Sequence, residues 1–151
     1  MDAVTHVPAP LNEPVLDYAP GSPERAELEV ALAELGSTSI ELPHTIGGRR
    51  VTGTGKKIDV RAPHAHKLVL GTLREATEAE AKAAVAAATA AAPAWRALSF
   101  DDRAAILLKA ADLLAGPWRA RLVAATMLGQ SKTCYQAEID AACELADFWR
   151  F

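Results

Sequence analysis

The spacing of hydrophobic and polar residues changes twice along the chain, and each change marks a new kind of element. Residues 1–22 scatter Val, Leu and Tyr among Pro8, Pro10, Pro14 and Pro20, a pattern that predicts an extended arm lying on a surface or a neighbour. Ser22 as N-cap and Pro23 at the first helical position then predict a helix over 23–35, closed by Gly36. A linker follows, ending at Pro43.

From His44 to Leu73 the period shortens to that of strands. Thr45-Ile46, Gly47-Gly48 and Arg49-Arg50-Val51 read as a tight hairpin, the glycines supplying the positive φ of its turn. Lys57 to Arg61 alternates polar and apolar residues, and Lys67 to Leu70, ended by Gly71, is a third candidate strand. The helical period then returns. Thr77 and Glu80 form a capping box before an alanine-rich helix expected to end at Pro93. Ser99 and Asp102 open the next helix, in which Leu107, Ala110, Ala111 and Leu114 share one face. Gly116-Pro117 breaks it and starts a third helix that runs to Gly129, and Ser131 is expected to cap the last.

That last helix, Thr133 to Phe151, carries Leu145, Phe148 and Trp149 on one stripe and shows no Gly, Asn or Pro after them. Terminal carbonyls need partners, so the expectation is that its packing partner lies further along a longer protein. The expected domains are an arm (1–22), a helix and linker (23–43), β-hairpin strands (44–73) and a helical part (74–151).

Composition narrows the classes of function. Half the residues are apolar and the formal charge is −3 with both signs interspersed, so nucleic acid is an unfavoured partner. No tract is long and apolar enough to suggest a membrane span. The N-terminus has neither an apolar signal core nor early arginines, which points to a cytoplasmic protein.

Most of the polar motifs have plain readings. Gly53-Thr54-Gly55-Lys56 lacks the first glycine and the Ser or Thr of a phosphate loop, and it lies between strands, so an ordinary turn is expected. His64 and His66 would share a strand face but have no further ligands at useful spacing, so no metal is expected. Cys134 and Cys143, nine residues apart, fall on opposite sides of a regular helix and read as packing residues rather than a nucleophile or redox pair. Glu138 sits at the centre of the apolar stripe and needs a partner, with Arg103 and Arg121 as candidates. Helical geometry alone turns Glu144 towards solvent.

The stretch from Ile46-Gly47-Gly48 through Ala62-Pro63-His64, Trp95 and Arg103 to Ala111–Leu114 resembles the N-terminal part of aldehyde dehydrogenases. Two longer runs, NEPV-x2-YAPGSPER (Asn12 to Arg25) and TMLGQSKT-x2-QAEID-x3-EL-x-DFWRF (Thr126 to Phe151), are similar to one branch, the L-glutamate γ-semialdehyde (1-pyrroline-5-carboxylate) dehydrogenases.

The resemblance implies an aldehyde dehydrogenase-like α/β parent, of which this piece forms an arm, a helix, a small β-hairpin unit and about four helices. It implies NAD as cofactor, oxidation of glutamate γ-semialdehyde to glutamate in proline breakdown, and a homo-oligomer acting on a small molecule. The strands of 44–73 would belong to an oligomerisation region, and the helices from 74 onward to the NAD-binding domain, truncated here. The catalytic thiolate, the oxyanion donors, the water-activating glutamate and most of the cofactor site would lie outside this chain, leaving it inactive alone. Met1 directly before the arm argues against a fused proline dehydrogenase upstream. One role carries over to a residue present: Glu144, in the E-L-x-D-F run, would bind substrate near its α-amino group. The alternatives are another aldehyde dehydrogenase branch and a non-enzymatic helical interaction module.

Overall fold

The computed structural model describes residues 6–151, so the readings that fall on residues 1–5 lie outside the described residues. In chain order the elements are α1 (Pro23–Ser37), β1 (Ile40–Glu41), β2 (His44–Ile46), β3 (Arg49–Val51), β4 (Lys57–Ala62) and β5 (Ala65–Arg74). They are followed by α2 (Glu78–Ala97), α3 (Phe100–Ala115), α4 (Arg119–Gln130), α5 (Cys134–Ala137), a π-helical segment (Glu138–Cys143) and α6 (Glu144–Arg150). These make two units: Thr38–Leu98 forms one, and the chain up to Ser37 together with Ser99–Phe151 forms the other.

In the strand unit, β2 and β3 pair antiparallel around Gly47 and Gly48, whose φ values of 56° and 75° are those of a two-residue hairpin turn. β5 is the centre of a second sheet, pairing parallel with β1 and antiparallel with β4. This strand does not stop at Gly71, as expected, but continues to Arg74. Gly71 lies opposite Ile40 of β1, and a Cβ there would stand 2.6 Å from the Ile40 carbonyl oxygen. The glycine is an approach site for a neighbouring strand, not a terminator. Gly71→Ala is therefore expected to push β1 away and destabilise the protein by about 1–3 kcal/mol. The check is amide exchange at Leu42, whose N–H donates to the Thr72 carbonyl at 2.8 Å; unchanged protection there would count against the argument.

The capping box opens α2 as expected, with Glu80 accepting from the Thr77 N–H at 2.7 Å. The helix does not end at Pro93 but runs one further turn to Ala97. A proline removes one amide donor, and here that loss falls where few intrahelical bonds remain to be made. Gly36 likewise lies inside the last turn of α1 instead of closing it.

In the helical unit, Leu28 and Ala31 of α1 pack with Leu114 of α3, Val123 and Ala124 of α4, and Tyr18 of the arm. The final helical run adds Ala137, Ala142 and Ala146, all fully buried. Small side chains at these positions allow the helices to approach closely. Ser131, expected as an N-cap, instead has φ 56° and closes α4 in the left-handed conformation. The cap of the final run is Thr133, whose hydroxyl accepts from the Gln136 N–H while the Gln136 side chain bonds back to the Thr133 amide. Among the described residues no helix is long and apolar enough to cross a membrane.

Candidate functional site

One cluster of titratable side chains in the helical unit, Glu13, Arg119, Glu138, Asp147 and Arg150, gathers where the arm meets the final helical run. Glu138, fully buried, is held by Arg119 from the first turn of α4, not by Arg103 or Arg121. Arg121 is exposed and Arg103 is half-buried. The Arg119 guanidinium bonds Glu138 through Nε at 3.2 and 3.3 Å and through Nη2. It also donates to Glu13 Oε1 at 2.6 Å and to the Pro14 carbonyl at 2.7 Å. The arm thus decides which arginine pairs with Glu138, because it supplies two more acceptors only at Arg119. The Leu16 amide and the Tyr18 hydroxyl complete the Glu138 carboxylate at 2.9 and 2.7 Å.

Burial would raise the Glu138 carboxyl, but the bonds from Arg119, Leu16 and Tyr18 outweigh it and hold the group below the ordinary carboxylate range. Burial and the same carboxylate raise the Tyr18 hydroxyl. A second set of contacts clamps the arm further down the helix. Asp147 accepts from the Asn12 side chain and the Glu13 amide, each at 2.7 Å, and Arg150 donates to Glu13 Oε2 at 2.7 Å.

The final run is not a regular α-helix. Its π-helical segment ends where the Glu144 N–H bonds the Ile139 carbonyl, five residues back. The wide turn spends one extra residue and rotates everything after it relative to a count at 100° per residue. This explains two departures from expectation. The aromatic stripe is divided: Leu145 and Trp149 pack against the core, while Phe148 is 75% exposed. The two cysteines are not on opposite sides, since both lie near the Glu138 carboxylate. Burial first, and then that charge, raises both thiols, Cys143 to about 11, so neither offers a thiolate at neutral pH.

Glu144 is exposed and shares its face of α6 with Phe148, one turn on, and with Phe151. A carboxylate on an open face can accept charge-assisted bonds from an ammonium group, and the neighbouring ring can cover an aliphatic chain. The remaining motifs form no site. His64 lies in the turn after β4 while His66 is in β5, so they do not share a strand face. Among the described residues no group of three or more His, Cys, Asp or Glu could hold a metal ion.

The Gly53–Lys56 turn does not fit a dinucleotide. A Cβ on Gly53 would meet the Arg74 and Glu75 carbonyl oxygens at 2.6 and 2.7 Å, and the Thr54 amide is already bonded to the Glu80 carboxylate at 3.0 Å. With the Gly55 amide bonded to the Glu75 carbonyl as well, the donors a phosphate would need are already taken by protein acceptors.

Residues 51–151 match the model of the aldehyde dehydrogenase family. The chain is 49% identical over 150 residues to the delta-1-pyrroline-5-carboxylate dehydrogenase of Agaricus bisporus, covering 99% of this chain and 27% of that protein. It is 41% identical over 150 residues to the mitochondrial enzyme of that name from Dictyostelium discoideum, covering 99% of this chain and 26% of the relative. Its structure matches the crystal structure of the delta-pyrroline-5-carboxylate dehydrogenase from Mycobacterium tuberculosis bound with NAD, with a TM-score of 0.96 and 64% identity. That match covers 100% of this chain and 28% of the other. The chain therefore spans about a quarter of the length of these relatives.

Proposed function

The chain belongs to the aldehyde dehydrogenase family, and we propose that it is the N-terminal part of an NAD-dependent enzyme oxidising L-glutamate γ-semialdehyde to L-glutamate. The observation that carries this reading is the 64% identity to a solved 1-pyrroline-5-carboxylate dehydrogenase across the whole chain, arm and final helix included. A match confined to the shared middle of the family would favour another branch. A self-contained interaction module would give no reason for that likeness.

In this reading NAD accepts the hydride and is bound by other parts of the enzyme, since the glycine turn here does not fit it. What this chain contributes is recognition of the substrate. Glu144 accepts hydrogen bonds from the α-ammonium group of the semialdehyde, on a face that is open in this chain. Its carboxylate orients the substrate and takes no part in bond making. The strands of residues 44–73 serve subunit contacts in a homo-oligomer, the helices from residue 74 onward belong to the NAD-binding domain, and the enzyme is cytoplasmic.

The test is kinetic. In the intact enzyme, Glu144→Ala is expected to raise KM for the semialdehyde about ten- to a hundredfold, the worth of a charge-assisted hydrogen bond. KM for NAD should stay where it is. Equal semialdehyde kinetics in variant and wild type would remove Glu144 from the site.

A further inference from the structure

The π-helical turn and the buried ion pair are built on the same residues. The segment begins at Glu138 and ends at Cys143, and the two side chains meet, Cys143 Sγ lying 3.6 Å from Glu138 Oε1. Arg119 Nη2 lies 3.6 Å from the same sulfur. In a regular α-helix, residues five apart point about 140° away from each other, so one guanidinium could not touch both. The wide turn brings Cys143 beneath Glu138, where Arg119 and the arm hold them together.

Glu144 is the next residue, and its amide makes the five-residue bond that closes the turn. Beyond it, Asp147 and Arg150 are clamped by Asn12 and Glu13 of the same arm. Glu144 thus stands between two anchors that share one strap. Had the segment been α-helical, α6 would be turned by about 100°. Asp147 and Arg150 would then leave the arm, and Glu144 would face elsewhere.

Resting on the reading of Glu144 as a substrate ligand, we infer that Glu138, through the π-helical turn it anchors to Arg119 and the arm, is a positioning residue that sets the direction of the Glu144 carboxylate. Glu138 touches no substrate. Its role is to hold a turn whose last donor is the recognition residue, and π-helical turns recur at functional sites for this kind of local re-aiming.

The test uses the intact enzyme and two aldehydes, glutamate semialdehyde and propanal, which lacks the amino and carboxylate groups. Glu138→Gln keeps the shape of the side chain and removes its charge. It is expected to raise KM for the semialdehyde by at least about tenfold, as a misplaced ligand does, while propanal kinetics and KM for NAD stay unchanged. Equal losses for both aldehydes would mean a general structural role and overturn the inference, as would no change for either. A second variant lacks Ala141. It removes the extra residue, lets the segment become α-helical and keeps the phase of α6, so semialdehyde KM should be retained. A rise of about tenfold in that variant, with propanal turnover intact, would overturn the phase argument. Glu144→Ala run alongside separates the two ideas. If it leaves KM unchanged, the substrate reading itself fails; if it raises KM and Glu138→Gln does not, only the positioning role fails.

Discussion

Replacing Arg119 by methionine is expected to destabilise the protein by about 3–5 kcal/mol, the cost of breaking a buried ion pair from one side. Glu138 is fully buried, and Glu13 lies beside it with little exposure. Without the guanidinium these two carboxylates would face one another with Leu16, Tyr18, the Cys143 thiol and Arg150 left to satisfy them. The Pro14 carbonyl would also lose its donor. The arm would then separate from the final helix, exposing Tyr18 and the alanine contacts beneath it. A fall of roughly 10 °C in the thermal midpoint is the corresponding observation. Arg119→Met combined with Glu138→Leu should recover most of the loss, because an apolar pair of similar volume carries no desolvation cost. A single variant as stable as wild type would show that the network adds nothing net.

Acidification is expected to dismantle the same network from the other side. The Glu138 carboxyl is held below its ordinary value in the folded protein, so between the folded and unfolded values the unfolded chain binds more protons. The stability this group contributes is complete above the unfolded value, about 4.3, and is lost as pH falls through the folded one. Protonation leaves Arg119 buried with Glu13 as its remaining anionic partner. The thermal midpoint should therefore hold between pH 7 and pH 5 and fall steeply below, at fixed ionic strength. Glu80, lowered by its bonds to Thr77 and Thr54, acts in the same direction, but it is only half-buried and stands outside this network. In Glu138→Gln the acid limb should flatten. A limb of undiminished slope in that variant would assign the transition to other groups.

How much of this was legible in the residues can be followed element by element. The hairpin around Gly47-Gly48, strand β4, and the starts of α1, α2 and α3 follow from local chemistry, because turns and caps bond within a few residues of themselves. The need for a partner at Glu138 was equally visible, since a carboxylate on an apolar stripe is costly wherever the stripe packs. Gly71 was misread because a glycine that ends a strand and one that admits a neighbour look alike in sequence. Pro93 and Ser131 failed as boundary signals for a related reason. Each residue type is a statistical marker, and the bonds actually made at each site decide its role.

The direction of the final helix could be read only in part: a helical count already turned Glu144 outward, but it kept Phe148 on the packed stripe. Counting at 100° per residue assumes an α-helix throughout, and nothing in Glu138 to Cys143 announces an extra residue in the turn. That residue is accommodated where Arg119 meets both Glu138 and Cys143, itself held by Glu13 and the carbonyl of Pro14, more than a hundred residues away. The sequence alone determined most of the elements, the family likeness and the demand for a buried cation, though not strand β1 or the π-helical segment. The tertiary structure decided which arginine answers that demand and that Phe148 leaves the packed stripe. Local bonding is encoded within a few residues, whereas helical phase is set by contacts that exist only once distant segments have met.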